Sequence, residues 1–194
     1  MTRHASIGCA TALFAVFAFS AAPAAAQQGE TYLGLGFGQS KFKDACSGLA
    51  PGVSCDETGT AWKAFGGYMF NRNLGVEIAF TDLGKAEATS PIGNASIKIT
   101  TWEVDGIGAW QINQPLSLYG KLGLYSGTKE VNGLGVSAKD TNASVTFGAG
   151  LRYDMSQNLA ARIEFQHYDK VGGNDTGDKT NVEMWNIGVM WKLK

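Results

Sequence analysis

The sequence predicts an all-β fold, an eight-stranded antiparallel up-and-down transmembrane β-barrel. Three observations predict it. Apolar and polar residues alternate with period two along most of the chain after residue 26, and no segment carries a convincing helical period. Eight segments alternate in this way, an even number, as a closed antiparallel barrel of bacterial type requires. Their connections alternate too, three short turns against four long loops, the arrangement of periplasmic turns and extracellular loops. A soluble meander has no physical reason to sort its connections by end; a small soluble ligand-binding barrel is the competing fold.

The first 26 of the 194 residues stand apart. MTRH carries positive charge, the following stretch is apolar and uncharged, and Ala24–Ala26 offer a small-residue cleavage pattern. This is the layout of a secretory signal peptide over 1–26, leaving 27–194 as the barrel. No later apolar run approaches the ~20 residues of a transmembrane helix, whereas a spanning strand needs only about 9–11.

The strands follow in order, and side chains change face at every residue. The first, Thr31–Phe42, reads LGLGFG at its centre. The second, Thr60–Phe70, carries Lys63 and turns through NRN into the third, Leu74–Leu83. There Glu77 shares a face with Gly75, Ala79 and Thr81, opposite Leu74, Val76, Ile78 and Phe80. The fourth, Ile97–Ile112, sets Glu103 and Asp105 against Gly106 and Gly108, and NQP leads on to the fifth, Leu116–Thr128. In the fifth, Lys121 shares a face with Tyr119, Gly123 and Tyr125 against four leucines. The sixth, Asn142–Asp154, places Arg152 with Ser144, Thr146, Gly148 and Gly150. MSQ leads to the seventh, Asn158–Tyr168, where Arg162, Glu164 and Gln166 oppose Leu159, Ala161, Ile163 and Phe165. The eighth, Val182–Leu193, opposes Asn186, Gly188 and Lys192 to Trp185, Ile187, Val189, Trp191 and Leu193.

One face is therefore small or charged and the other bulky and apolar. An eight-stranded barrel has little lumen, so small residues and paired charges are expected inside and the bulky face against lipid. By parity the lumen holds Lys63, Lys121, Arg152 and Arg162 against Glu77, Glu103, Asp105 and Glu164. That neutral total suits a low-dielectric interior, where unpaired charge is costly. The aromatics supply an independent check. Trp62, Trp102 and Trp185 fall near loop ends; Tyr68, Phe70, Trp110, Tyr153 and Trp191 fall near turn ends; all take the apolar face, as two interfacial girdles would.

Three stretches carry a specific resemblance: AFGGYMFNRNLGVEIAFTDLGK (Ala64–Lys85), GAGLRYDMSQNLAARIEFQHY (Gly148–Tyr168) and WNIGVMWKLK (Trp185–Lys194). They resemble strands 2–3, 6–7 and 8 of the outer-membrane protein A (OmpA) transmembrane domain, and the resemblance spans essentially all of 27–194. It implies a monomeric, cofactor-free barrel in a Gram-negative outer membrane, inserted by the barrel-assembly machinery among lipid and lipopolysaccharide. It also implies a lumenal salt bridge between Glu77 and Arg162 that blocks passage. Two departures imply a rewired network: Ile107 stands where a basic residue is expected, and Arg152 where relatives often have Glu. The peptidoglycan-binding domain of many relatives is expected to be missing, and the chain finishes on WKLK rather than on an aromatic.

The remaining features bound function. A formal net charge of −1 argues against nucleic acid as a partner. Cys46 and Cys55, nine residues apart in a polar stretch of an exported chain, suggest one loop disulfide, with too few ligands around them for a metal. His167 and Asp169 in EFQHYDK have no Ser beside them, so no enzyme is expected. DTNAS and GGNDTGDK are read as solvated loop clusters, and GLGFG lies inside a strand with no following helix, so it is no phosphate loop. The expected role is structural, with loops presented at the surface. The alternatives are a narrow ion-permeable channel, or an adhesin or ligand-binding barrel whose loops hold an extracellular partner.

Overall fold

A computed structural model describes residues 29–43, 45–47, 53–90, 93–133, 136–172 and 179–193. The expected leader over 1–26 and most of GGNDTGDK lie outside the described residues. The described chain is all strand: β1 (Glu30–Phe42), β2 (Ser54–Asp56), β3 (Thr58–Met69), β4 (Leu74–Ser90), β5 (Gly93–Gln111), β6 (Leu116–Gly133), β7 (Val136–Asp154), β8 (Leu159–Val171) and β9 (Thr180–Leu193). Every pairing is antiparallel, the strands other than β2 each pair with their neighbours in sequence, and β1 closes on β9 through twelve residue pairs from Thr31↔Leu193 to Phe42↔Val182. Eight strands make the barrel. The three-residue β2 is an addition that pairs with Glu87–Thr89 of β4 outside the cylinder.

Short side chains build the turn end. Asn71 Oδ1 accepts the Asn73 and Leu74 amides at 2.8 and 2.9 Å, and Ser156 Oγ accepts those of Asn158 and Leu159 at 3.3 and 3.1 Å. Such side-chain turns let strands reverse within a few residues.

The loop end differs from the sequence expectation. Residues 83–90, 93–97, 128–133 and 136–142 are strand rather than loop. β4–β5 pair out to Ser90↔Gly93 and β6–β7 to Gly133↔Val136, past the expected ends at Leu83 and Thr128. The period of two continues there, carried by alanines and single aliphatics rather than bulky residues. One cross-strand row, Ala86–Ile97–Val131–Ala138, faces inward, and the adjacent row, Lys85–Lys98–Glu130–Lys139, faces out. Gly84, at φ +76°, sits at the bulge where β4 leaves β3, and a side chain there would collide with the Thr60 carbonyl. The result is a sheet, β2-β4-β5-β6-β7, standing above one side of the barrel. A disulfide between Cys46 and Cys55 staples the segment that leads into β2. In this exposed sheet Lys139 donates to and sits beside the Glu130 carboxyl, holding it below the usual carboxylate range.

The eight aromatics assigned to girdles all face outward and are exposed, and Trp62–Phe80–Trp102 form a continuous tilted stack at 5.5 and 5.0 Å. The outer band between them is Leu, Ile, Val and Phe. The interior corrects the expectation of small residues plus charges. It holds two apolar clusters of large side chains, one toward the loop end (Phe42, Leu83, Ile99, Tyr125, Tyr168, Met184) and one toward the turn end (Tyr32, Phe65, Met69, Ile107, Tyr119, Met190). The glycines of the inner face leave room for these rings: at Gly34 and Gly67 an added Cβ would strike Phe65 and Tyr32.

Candidate functional site

Between the two clusters lies a belt of buried charge. Glu77 projects from β4, and Arg162 reaches it across the lumen from β8, with Nη1 2.8 Å from Oε2 and Nη2 3.3 Å from Oε1. This is a two-pronged contact, the strongest form of Arg–carboxylate pairing. The guanidinium carbon sits over the Phe65 ring, 3.3 Å from its centroid, a cation–π contact. The Tyr32 hydroxyl donates to Glu77 Oε2 at 2.9 Å.

Lys121 of β6 joins three carboxylates. Its Nζ lies 2.8 Å from Glu77, 3.0 Å from Asp105 and 3.6 Å from Glu164. Glu77 and Asp105 stand directly opposite each other on β4 and β5, a like-charge pair that would repel without the ammonium between them. Gly123 makes this geometry available, because a Cβ there would come within 2.3 Å of Asp105 Oδ1.

Lys63 of β3 forms the third node. It contacts Glu103, Gln166 Oε1, and Glu164 at 3.2 Å. Gln166 donates to Glu103 at 2.8 Å and to Thr146 at 2.9 Å; Tyr119 donates to Glu164 at 2.8 Å, and Asn186 at 3.4 Å. Seven of the eight charges assigned to the lumen therefore form one connected, fully buried network: Glu77, Arg162, Glu164, Lys121, Lys63, Glu103 and Asp105.

Arg152 does not join it. Its side chain lies at the turn-end mouth, donating to Asp154 at 2.9 Å and Glu30 at 3.4 Å, and Lys192 completes this rim cluster at 2.9 Å from Asp154. Parity placed Arg152 on the inward face correctly, but parity carries no depth, and Arg152 sits only two residues from the end of β7. The central network therefore holds three cations against four carboxylates among the described residues, rather than four against four. Ile107, in place of a basic residue, packs into the lower apolar cluster. Tyr32, Gln166 and Asn186 were not assigned to the network by sequence reasoning, because neutral partners of buried charges leave no charge signal to find them by; Glu30, a member of the rim cluster, lies one residue before the first strand as read from the sequence.

Below the network a vestibule of about 450 Å³ opens at the turn end, lined by the rim cluster with Asn71, Arg72 and Gln111. It ends against Arg162, Tyr32 and Tyr119. Outside the belt, His167 faces outward, stacked on Phe147 at 4.9 Å and 3.6 Å from Glu183. No group of three or more metal-ligating side chains occurs among the described residues.

Comparison with known proteins gives a consistent picture. The outer membrane protein beta-barrel domain matches residues 10–192. Outer membrane protein P5 of Haemophilus influenzae is 29% identical over 201 residues, covering 91% of this chain and 57% of its own length. Outer membrane protein A of Klebsiella aerogenes is 27% identical over 196 residues, covering 98% and 55%. The chain thus spans about half the length of the curated relatives it matches. Among solved structures, Ail, the attachment invasion locus protein of Yersinia pestis, crystallised with the heparin analogue sucrose octasulfate, superposes with a TM-score of 0.58 at 22% identity. That match covers 86% of this chain and 99% of Ail and bears on the fold.

Proposed function

The chain belongs to the outer membrane protein β-barrel domain family, and we propose that within the Gram-negative outer membrane it serves as a structural, surface-presenting barrel whose lumen is sealed. The observation that carries this reading is the filling of the lumen: a buried charge network clamped between two clusters of large apolar side chains. Paired buried charges persist, whereas breaking such a pair strands a charge in a low-dielectric interior. A belt of this kind rigidifies the cylinder and leaves ions no hydrated path.

Purified protein in a planar bilayer is the direct test. Wild type is expected to give no conductance step above leakage, and Glu77→Ala, which strips Arg162 and Lys121 of their shared partner, is expected to give small, brief openings. A steady wild-type conductance would replace the sealed barrel by a narrow channel. Cells lacking the chain are expected to leak periplasmic protein under detergent stress, and unchanged envelope resistance would remove the structural role.

Residues 1–26 serve as the export leader, so mature protein from the outer membrane begins at Gln27 in N-terminal sequencing. The barrel-assembly machinery inserts the rest, with Trp191 and Leu193 on the outward face of β9 as the residues it reads.

A further inference from the structure

We propose that the vestibule at the turn end is a binding pocket for a small amphiphilic carboxylate, held with its acid group against Arg152 and Arg162 and its apolar body against Met69, Ile107 and Met190. The turn end is the periplasmic side of a barrel of this type, so the ligand enters from there. The cavity measures about 450 Å³ and ends blindly against Arg162, Tyr32 and Tyr119. That size is typical of small-molecule pockets, which bury a ligand against apolar walls and orient it with a few convergent polar groups.

The charge facing the cavity is unbalanced. Four cations line it, Arg72, Arg152, Arg162 and Lys192, against two carboxylates, Glu30 and Asp154. Both carboxylates are already shared. Asp154 lies 2.9 Å from Arg152 and from Lys192, and Glu30 lies 3.4 and 3.8 Å from the same two cations. Arg72 has no ion pair among the described residues.

The β7–β8 wall concentrates the positive charge. Arg152 and Arg162 stand directly opposite each other in the register, and like charges so placed repel unless an anion lies near. Their carboxylate partners lie apart, Glu77 above the floor of the cavity for Arg162 and Asp154 at the rim for Arg152. Arg162 is 5% exposed, and its Nε–H has no acceptor among the described residues. A carboxylate entering at this level meets two guanidinium groups, whose planar forks of donors match its two oxygens.

Much of the remaining wall is apolar. Met69 of β3, Ile107 and Ala109 of β5 and Met190 of β9 line the cavity beside the rings of Tyr32 and Tyr119. Methionine is unbranched and polarisable and adapts its shape to what it meets. A bare inorganic anion would leave these side chains against water, and an organic cation would meet a surplus of its own sign. An acid with a short apolar body satisfies both parts of the wall.

The pocket goes beyond the sealed barrel, and its occupancy is read on purified protein whether or not the lumen conducts. The full mature chain is labelled with carbon-13 at its methionine methyl groups and placed in lipid nanodiscs. Met69 and Met190 report on the vestibule, and Met184, in the loop-end cluster, is the internal control. Hexanoate is expected to shift the Met69 and Met190 signals saturably and leave Met184 unmoved. Acetate, which lacks the body, and hexylammonium, which carries the opposite charge, are expected to give no saturable shift. No shift with hexanoate, an equal shift at Met184, or an equal response to acetate or hexylammonium overturns the proposal. Arg152→Gln is expected to weaken hexanoate binding about tenfold, and unchanged affinity overturns the proposal. If Arg152→Gln does not fold, judged by loss of the heat-modifiable gel shift, the comparison of hexanoate with hexylammonium on the unaltered chain decides.

Discussion

At the scale of single residues, depth decides what a charge is worth. Glu77 is the pivot of the plug, touching Arg162, Lys121 and the Tyr32 hydroxyl with no exposure to solvent. Glu77→Gln is expected to lower the unfolding free energy in urea by about 3–5 kcal/mol, because Arg162 and Lys121 stay buried with a partner missing. Adding Arg162→Met is expected to restore part of that loss. Arg152 was assigned to the same network, yet it stands at a hydrated mouth. Arg152→Ala is expected to cost only about 1 kcal/mol, because its ion pairs are partly open to solvent at the rim. The gap between the two substitutions, read by urea titration of tryptophan fluorescence in lipid vesicles, measures the difference between lumen and rim. Equal losses would merge the two clusters.

At the scale of elements, the projecting sheet and the cylinder are separable. β4–β7 form the sheet by continuing past the girdle, and the Cys46–Cys55 bridge ties the segment after β1 to β2, which pairs with β4. Cys46→Ser with Cys55→Ser is expected to expose the segment between β1 and β3 to added protease on whole cells, while the heat-modifiable gel shift of the barrel stays unchanged. Loss of that shift would mean the bridge supports the cylinder itself. The hairpin extensions were hidden in the sequence because Ala86, Ala95 and Ala138 alternate too weakly to register as strand, and Gly, Ser and Asn between them read as loop.

At the scale of the whole molecule, the inside-out arrangement is the defining property. The outer face is meant for lipid, so Ile187→Arg, between the Trp185 and Trp191 levels of β9, is expected to cost about 2–4 kcal/mol of folding stability in bilayers. The chain should then accumulate unfolded in the periplasm. Lysine at the nearby inward position Lys63 is native and paired, which makes the contrast one of environment rather than of residue type. Unchanged recovery of Ile187→Arg in the outer-membrane fraction would mean that this position does not meet the lipid core.

The sequence by itself determined the number of barrel strands, the face on which nearly every side chain lies, the outward face of the eight aromatics and the cysteines available for pairing. These follow from a period of two and from chemistry that differs sharply between lipid and lumen, both local properties. Only the tertiary structure decided how the inward residues meet. Strand tilt and stagger set which levels of the eight strands coincide, and these exist only once β1 closes on β9. Closure brings Lys121 between Glu77 and Asp105, lays Arg162 on Phe65, leaves Arg152 at the rim and fills the remaining lumen with Tyr32, Tyr125 and Tyr168. The left-handed backbone of Lys170, where the β8–β9 register shifts between Tyr168 and Val171, belongs likewise to the assembled barrel.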